Sequence, residues 1–123
     1  MEPSPDDCEV KETYIPGQQY SCMLLYGEEC VAIADLSATT DFRIDGKIYP
    51  GMYFNRIKVR EKYQGNGLGS FTLEKVLDFA REHNLPIINE MNPYGPLDLQ
   101  NLTKFFVRHG FKQIKKGVVY FTP

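Results

Sequence analysis

The sequence predicts an α+β (mixed α/β) domain, with a mixed, mainly antiparallel sheet of about six strands and flanking helices. Three observations carry this. Apolar runs near both ends of the chain are split by short glycine turns, as in hairpins. One strand with alternating faces leads into a glycine-rich bend, and beyond that bend the apolar spacing changes to that of a helix. With 123 residues, 42% of them hydrophobic, the chain can fill one core and is too short for two. We read one domain over residues 20–123, preceded by a mobile leader at 1–19.

The leader carries Pro3, Pro5 and Pro16 among acidic and polar residues, with one short strand around Val10 to Tyr14. Tyr20–Tyr26 and Cys30–Leu36, parted by Gly27-Glu28-Glu29, form a hairpin. A polar connection then runs from Thr39 to Gly51. Met52–Val59 alternates, with Tyr53, Asn55, Ile57 and Val59 on one face and Phe54, Arg56 and Lys58 on the other. Leu73, Val76, Leu77 and Ala80 fall at i, i+3, i+4 and i+7, which predicts a helix over 68–82. Pro86 ends that pattern and opens a strand to Met91. After the turn residues 92–96, a helix over 98–108 is capped by Gly110, and strands at 111–114 and 118–121 close the chain as a hairpin.

Composition excludes several classes. No apolar run approaches the roughly 20 residues that cross a bilayer, and the first residues are acidic, unlike a secretory signal. The three cysteines lack Cys-x-x-Cys spacing, so neither a disulfide framework nor a metal site is expected, and a reducing cytoplasm fits. A net charge of -2 provides no basic excess for nucleic acid and favours basic or neutral acceptors.

The segment richest in chemistry is Gln64-Gly65-Asn66-Gly67-Leu68-Gly69, between a strand and a helix. Glycines let the backbone bend there and leave amide N–H groups open to a ligand. The first helical turn adds unpaired donors and partial positive charge, so a phosphate is the natural guest. No lysine follows the glycines, which excludes a Walker loop. A dinucleotide fingerprint needs a doubly wound sheet that this short chain, with its upstream hairpin, does not build. A ligand-free tight turn is the remaining alternative.

With its flanks, Ile57 to Gly69 resembles the cofactor motif of the GNAT superfamily of N-acetyltransferases, Arg/Gln-x-x-Gly-x-Gly/Ala after a strand ending in valine. Gln64, Gly67 and Gly69 occupy its diagnostic places. Leu102 to Phe111 is similar to the second family signature, a helix ending in aromatic-x-x-x-Gly-Phe. The resemblance spans about Tyr20 to Phe121 and implies a GNAT-like fold with acetyl-CoA as co-substrate. It also implies that Gly65, Asn66, Gly67, Leu68, Gly69 and Ser70 cradle the diphosphate after Gln64. The pantetheine arm would lie along Ile57, Lys58 and Val59, in a wedge where that strand splays from the strand ending at Met91.

A transferred acetyl group needs a neutral amine, and Glu90, at the end of the splayed strand, is the candidate base, acting through water. Asp35 and Asp41 are weaker candidates. The family's tyrosine acid is matched by Phe106, which lines the cofactor site without a proton to give; another hydroxyl, with Tyr94 the first candidate, or a water takes its place, or the thiolate leaves unassisted. His109 is read as a helix-end cation and His83 as a surface residue. Arg60 or Lys62 could meet the 3′-phosphate of coenzyme A, whereas Lys112, Lys115 and Lys116 read as a solvated cluster. Larger relatives cover the acceptor with two helices between their first strands, for which the leader here is too short. An open acceptor side follows, suited to a protein side chain or N-terminus or to a polyamine, and rimmed by residues 39–51 with Gly95-Pro96. A second subunit is one way to wall it. Cys22 and Cys30 lie far in sequence from the loop, which favours direct transfer in a ternary complex over a covalent acyl-enzyme. Loss of the tyrosine also suits an acyl-CoA-binding regulatory or interaction module without turnover.

Overall fold

The structure, a computed structural model, describes residues 2–38, 41–92 and 97–123. Seven strands form the main sheet: β1 (Glu9–Ile15), β2 (Gln19–Tyr26), β3 (Glu29–Ser37), β6 (Met52–Val59), β7 (Ile87–Glu90), β8 (Lys112–Lys115) and β9 (Val118–Phe121). Their spatial order is β1-β2-β3-β6-β7-β9-β8, and every neighbouring pair is antiparallel except β6 and β7. Two short strands, β4 (Asp41–Ile44) and β5 (Lys47–Pro50), make a separate hairpin. Helices α1 (Leu68–His83) and α2 (Leu99–Arg108) follow β6 and β7 respectively.

The helices pack on the sheet through one continuous core. Leu73, Val76, Leu77 and Ala80 of α1 meet Tyr20, Cys22, Ala34, Leu36 and Phe54 from the strands, and Phe106 and Phe111 join them from the C-terminal part. The β4–β5 hairpin adds Ile44, with Phe42 and Tyr49, to a second cluster containing Ile88 and Val118. Each helix ends on a residue in the left-handed region. After α1 this is Asn84, at φ 52. After α2 it is Gly110, at φ 103. There the amide of Phe111 donates to Phe106 O at 3.1 Å and that of Gly110 to Val107 O at 3.0 Å. The Phe106 and Phe111 rings meet at 5.2 Å, the apolar contact that accompanies this kind of stop.

Three features differ from the expectation drawn from the sequence. Residues 9–15 do not belong to a mobile leader: they pair with β2 along their whole length, from Glu9↔Leu25 to Ile15↔Gln19, making the sheet seven-stranded. The short strand expected around Val10 to Tyr14 is therefore present as β1, an edge strand that buries Val10 and Tyr14 against the core. The polar connection contains the β4–β5 hairpin, turned at Asp45-Gly46 with φ 51 and 80. The alternation of β6 also breaks. Asp35 pairs with Arg56 and Leu36 with Phe54, so Asn55 is an extra residue, a β-bulge. Phe54 thereby shares the core face with Ile57 and Val59, and Tyr53 takes the opposite face against Phe42.

Candidate functional site

The site begins where β6 leaves β7. These two parallel strands pair only at Met52↔Ile87 and Tyr53↔Ile88. Past Tyr53, β6 stays with β3 as far as Ala32↔Val59, while β7 stays with β9 as far as Glu90↔Val118. The strands diverge and a wedge opens between them. A cavity of about 200 Å³ fills it, walled by Phe54, Ile57, Val59, Leu102, Phe105 and Phe106 and reaching Asn89, Glu90 and Met91.

Gln64 and Gly69 of the glycine bend line this same cavity. The bend leaves β6 through a short 3-10 turn at Glu61–Tyr63. Gly65 and Gly67 then adopt φ 91 and 81, a region in which any other residue is strained. Cβ atoms placed on them would meet nothing within 4 Å, so their faces are open. Gly67 is the N-cap of α1, and the first amide to bond back is that of Phe71, onto Gly67 O at 3.1 Å. By helix geometry the N–H groups of Gly67, Leu68, Gly69 and Ser70 have no intrahelical acceptor. No acidic side chain occupies that first turn. An anion fits such a cradle. The Gln64 side chain ties the bend back to β6, its Nε2 donating to Val59 O at 3.2 Å.

At the other end of the cavity Glu90 is exposed and accepts a hydrogen bond from Tyr53 Oη at 3.4 Å. Partial burial, with Glu90 beside it, raises the Tyr53 pKa, so this phenol remains a donor at neutral pH. Phe106 is 1% exposed and packs edge-on against Phe54 at 5.4 Å. Gln64, Gly69, Ile57, Val59, Glu90 and Phe106 are therefore brought to one cavity; Lys58 lies on the same strand but is exposed and outside the lining. Tyr94, Gly95, Pro96 and Thr39 lie outside the described residues.

Other candidates are engaged elsewhere. Asp35 holds Arg56 at 2.7 Å. Arg60 and Lys62 both reach Glu29, at 3.3 and 3.5 Å, and the Tyr63 hydroxyl together with Lys62 and Arg60 lowers the pKa of that carboxyl. His109 sits at the end of α2, as expected, with its ring 12% exposed and bonded to Glu74 and Ser70 of α1. His83 is exposed, as expected, and its ring meets those of Tyr14 and Phe79 at tilted angles. The sequence reading missed buried Asn89, which lines the cavity, and the N-terminal contact with the bend, where Asn66 Nδ2 donates to Pro3 O at 3.1 Å. Neither has a local signal, since both contacts join distant stretches of chain. Among the described residues no group of three or more His, Cys, Asp or Glu side chains is placed to hold a metal, and no helix is long and apolar enough to cross a membrane.

The main sheet is thus split at one diverging parallel pair, and the helix that follows β6 begins at an open anion cradle beside the split. The chain belongs to the acetyltransferase (GNAT) family, whose family model matches residues 2–111. No curated protein sequence matches it. Solved structures share its fold. A GNAT family acetyltransferase from Elizabethkingia anophelis with acetyl-CoA bound superposes at TM-score 0.67 with 13% identity, over 96% of this chain and 99% of that one. The PaiA N-acetyltransferase from Thermoplasma acidophilum in complex with coenzyme A gives 0.61 and 10% identity over 86% of this chain, which spans 62% of that one. An anti-CRISPR protein gives 0.55 and 19% identity, over 92% and 98% of the respective chains.

Proposed function

We propose that this chain is an N-acetyltransferase that moves an acetyl group from acetyl-CoA to an amine by direct transfer in a ternary complex. The observation that carries the proposal is continuity: one cavity runs from Gly69, at the anion cradle, to Glu90, a carboxylate held by Tyr53. A diphosphate at one end and a proton acceptor at the other are what this reaction requires of a protein.

The co-substrate, when bound, supplies an acyl group already activated as a thioester. The amides of Gly65 to Ser70 hold its diphosphate, each favourable helix-end contact contributing about 0.3–1 kcal/mol at an exposed site. The backbone of Ile57, Lys58 and Val59 lies along the pantetheine arm, and the apolar wall of Phe54, Phe105 and Phe106 excludes water from the wedge. Glu90 takes the proton of the incoming ammonium, whose pKa near 10.4 leaves it charged at neutral pH. Because Phe106 has no proton to give, the Tyr94 hydroxyl is the donor at the end of the transfer.

The three-residue turn at 16–18 joins β1 directly to β2, with no helix between them. That supports an acceptor side open to a protein lysine or N-terminus or to a polyamine. A second reading, a coenzyme-binding module without turnover, draws on the burial of Phe106 where the family has its tyrosine. The test compares thermal shifts with acetyl-CoA, coenzyme A, NAD and ATP, then measures coenzyme A release with amine acceptors. A shift specific to coenzyme A forms plus amine-dependent release supports the transferase, a shift without release supports the module, and a shift with NAD alone refutes both.

A further inference from the structure

Beside the cradle, the fold assembles three more reactive side chains. His109, at the end of α2, places Nδ1 2.5 Å from Glu74 Oε2 and Nε2 3.2 Å from Ser70 Oγ. Ser70 and Glu74 are four residues apart on α1 and so share a face. The order serine, histidine, carboxylate is one in which the imidazole governs the hydroxyl proton. The cavity lining includes Gly69 and Phe105 but neither Ser70 nor His109, so the trio flanks the anion end and does not open onto the wedge.

The Glu74 carboxylate can only accept, which fixes a proton on Nδ1 and leaves two states for Nε2. In neutral imidazole Nε2 accepts the Ser70 proton, and an approaching anion meets the lone pairs of Oγ. In imidazolium Nε2 donates to Oγ. The hydroxyl proton is then released towards the anion, with a positive charge behind it. An anion favours the second state, so its binding draws a proton onto the ring. The other charged groups nearby are Arg81, 3.9 Å from Glu74 on α1, and Arg108, over the Phe105 ring that His109 also touches. Both carry guanidinium groups.

We infer that Ser70, His109 and Glu74 form a positioning relay that couples diphosphate binding at the start of α1 to proton uptake, tightening coenzyme binding as pH falls. This rests on the proposed function, which puts a diphosphate at that turn. The test is calorimetric titration of the full chain with dephospho-coenzyme A, which has no terminal phosphate of its own to titrate. Between about pH 6 and about pH 8 the dissociation constant is expected to rise by up to about tenfold per pH unit. Uptake of up to one proton should appear as a binding heat that depends on the buffer's ionisation enthalpy. Ser70→Ala, which keeps the imidazole and needs no refolding of the core, is expected to abolish slope and uptake together, and Ser70→Thr to restore them. His109→Gln should match Ser70→Ala. A purely structural role would shift affinity equally at every pH and leave the slope, and that result overturns the relay. Tight binding without proton uptake overturns it alone, whereas no binding by the wild type at any pH takes the proposed function with it.

Discussion

Replacing Gly67 with tryptophan separates the cradle from the fold. Gly67 sits at φ 81, so a side chain there costs about 1–2 kcal/mol of left-handed backbone strain. No atom lies within 4 Å of the new Cβ, so no clash adds to that cost. Against a total stability of about 5–15 kcal/mol the variant should fold. For a chain of this size the strain corresponds to a drop in Tm of roughly 4–8 °C. For the wild type, acetyl-CoA at 100 times its Kd adds about 2.7 kcal/mol, or a rise of roughly 10 °C. In Gly67→Trp the indole stands over the donors and that rise should vanish, with the circular dichroism spectrum unchanged. The matched control is Gly17→Trp, at φ 76 and equally open, in the turn at the other end of the sheet. It pays the same backbone strain and should keep the full response. Equal responses from Gly67→Trp and wild type, or an equal loss in Gly17→Trp, would refute the cradle.

Three further outcomes are expected. Glu90→Gln should lower kcat/KM by roughly 10²–10⁴ with little change in acetyl-CoA affinity, as measured by steady-state kinetics beside calorimetry. Gly51→Ala would place a Cβ 2.5 Å from Pro86 O at φ 147, so a loss of at least about 2 kcal/mol in urea unfolding is expected. Burial of Cys22, with Glu12 beside it, pushes its thiol from 9.0 up to about 11. A pKa raised by folding stabilises the native state below the unfolded value and loses that contribution as pH climbs through the folded one. Stability should therefore fall by roughly 2–3 kcal/mol between about pH 9 and about pH 11. Cys22→Ala should flatten that fall in pH-dependent denaturation.

The parts of the fold legible in the sequence are those with local causes. The apolar spacing of Leu73, Val76, Leu77 and Ala80 marks α1, and Asp98 and Gly110 bracket α2 because caps are local chemistry. The bend from Gln64 to Gly69 is legible for the same reason, since positive φ and open amides leave glycines in the sequence. The bulge at Asn55 is hidden: one extra residue reverses the face of Phe54 without changing composition. Strand β1 is half legible: Val10 to Tyr14 reads as a short strand, but its pairing with β2 along the whole length shows only in the fold. The relay at His109 is the extreme case. His109 is 35 residues from Glu74 and 39 from Ser70, and the only trace in the sequence is the four-residue step between those two.

The two-pair contact between β6 and β7 divides the sheet into two plates, β1-β2-β3-β6 and β7-β9-β8, joined along a seam two residues long. The opening is thus made by backbone pairing left unfinished. Surface insertions in the hairpin turns should leave its width alone. Gly51, Met52 and Pro86, where the amide of Met52 donates to Pro86 O at 2.9 Å, act as the hinge pin that sets the angle between the plates.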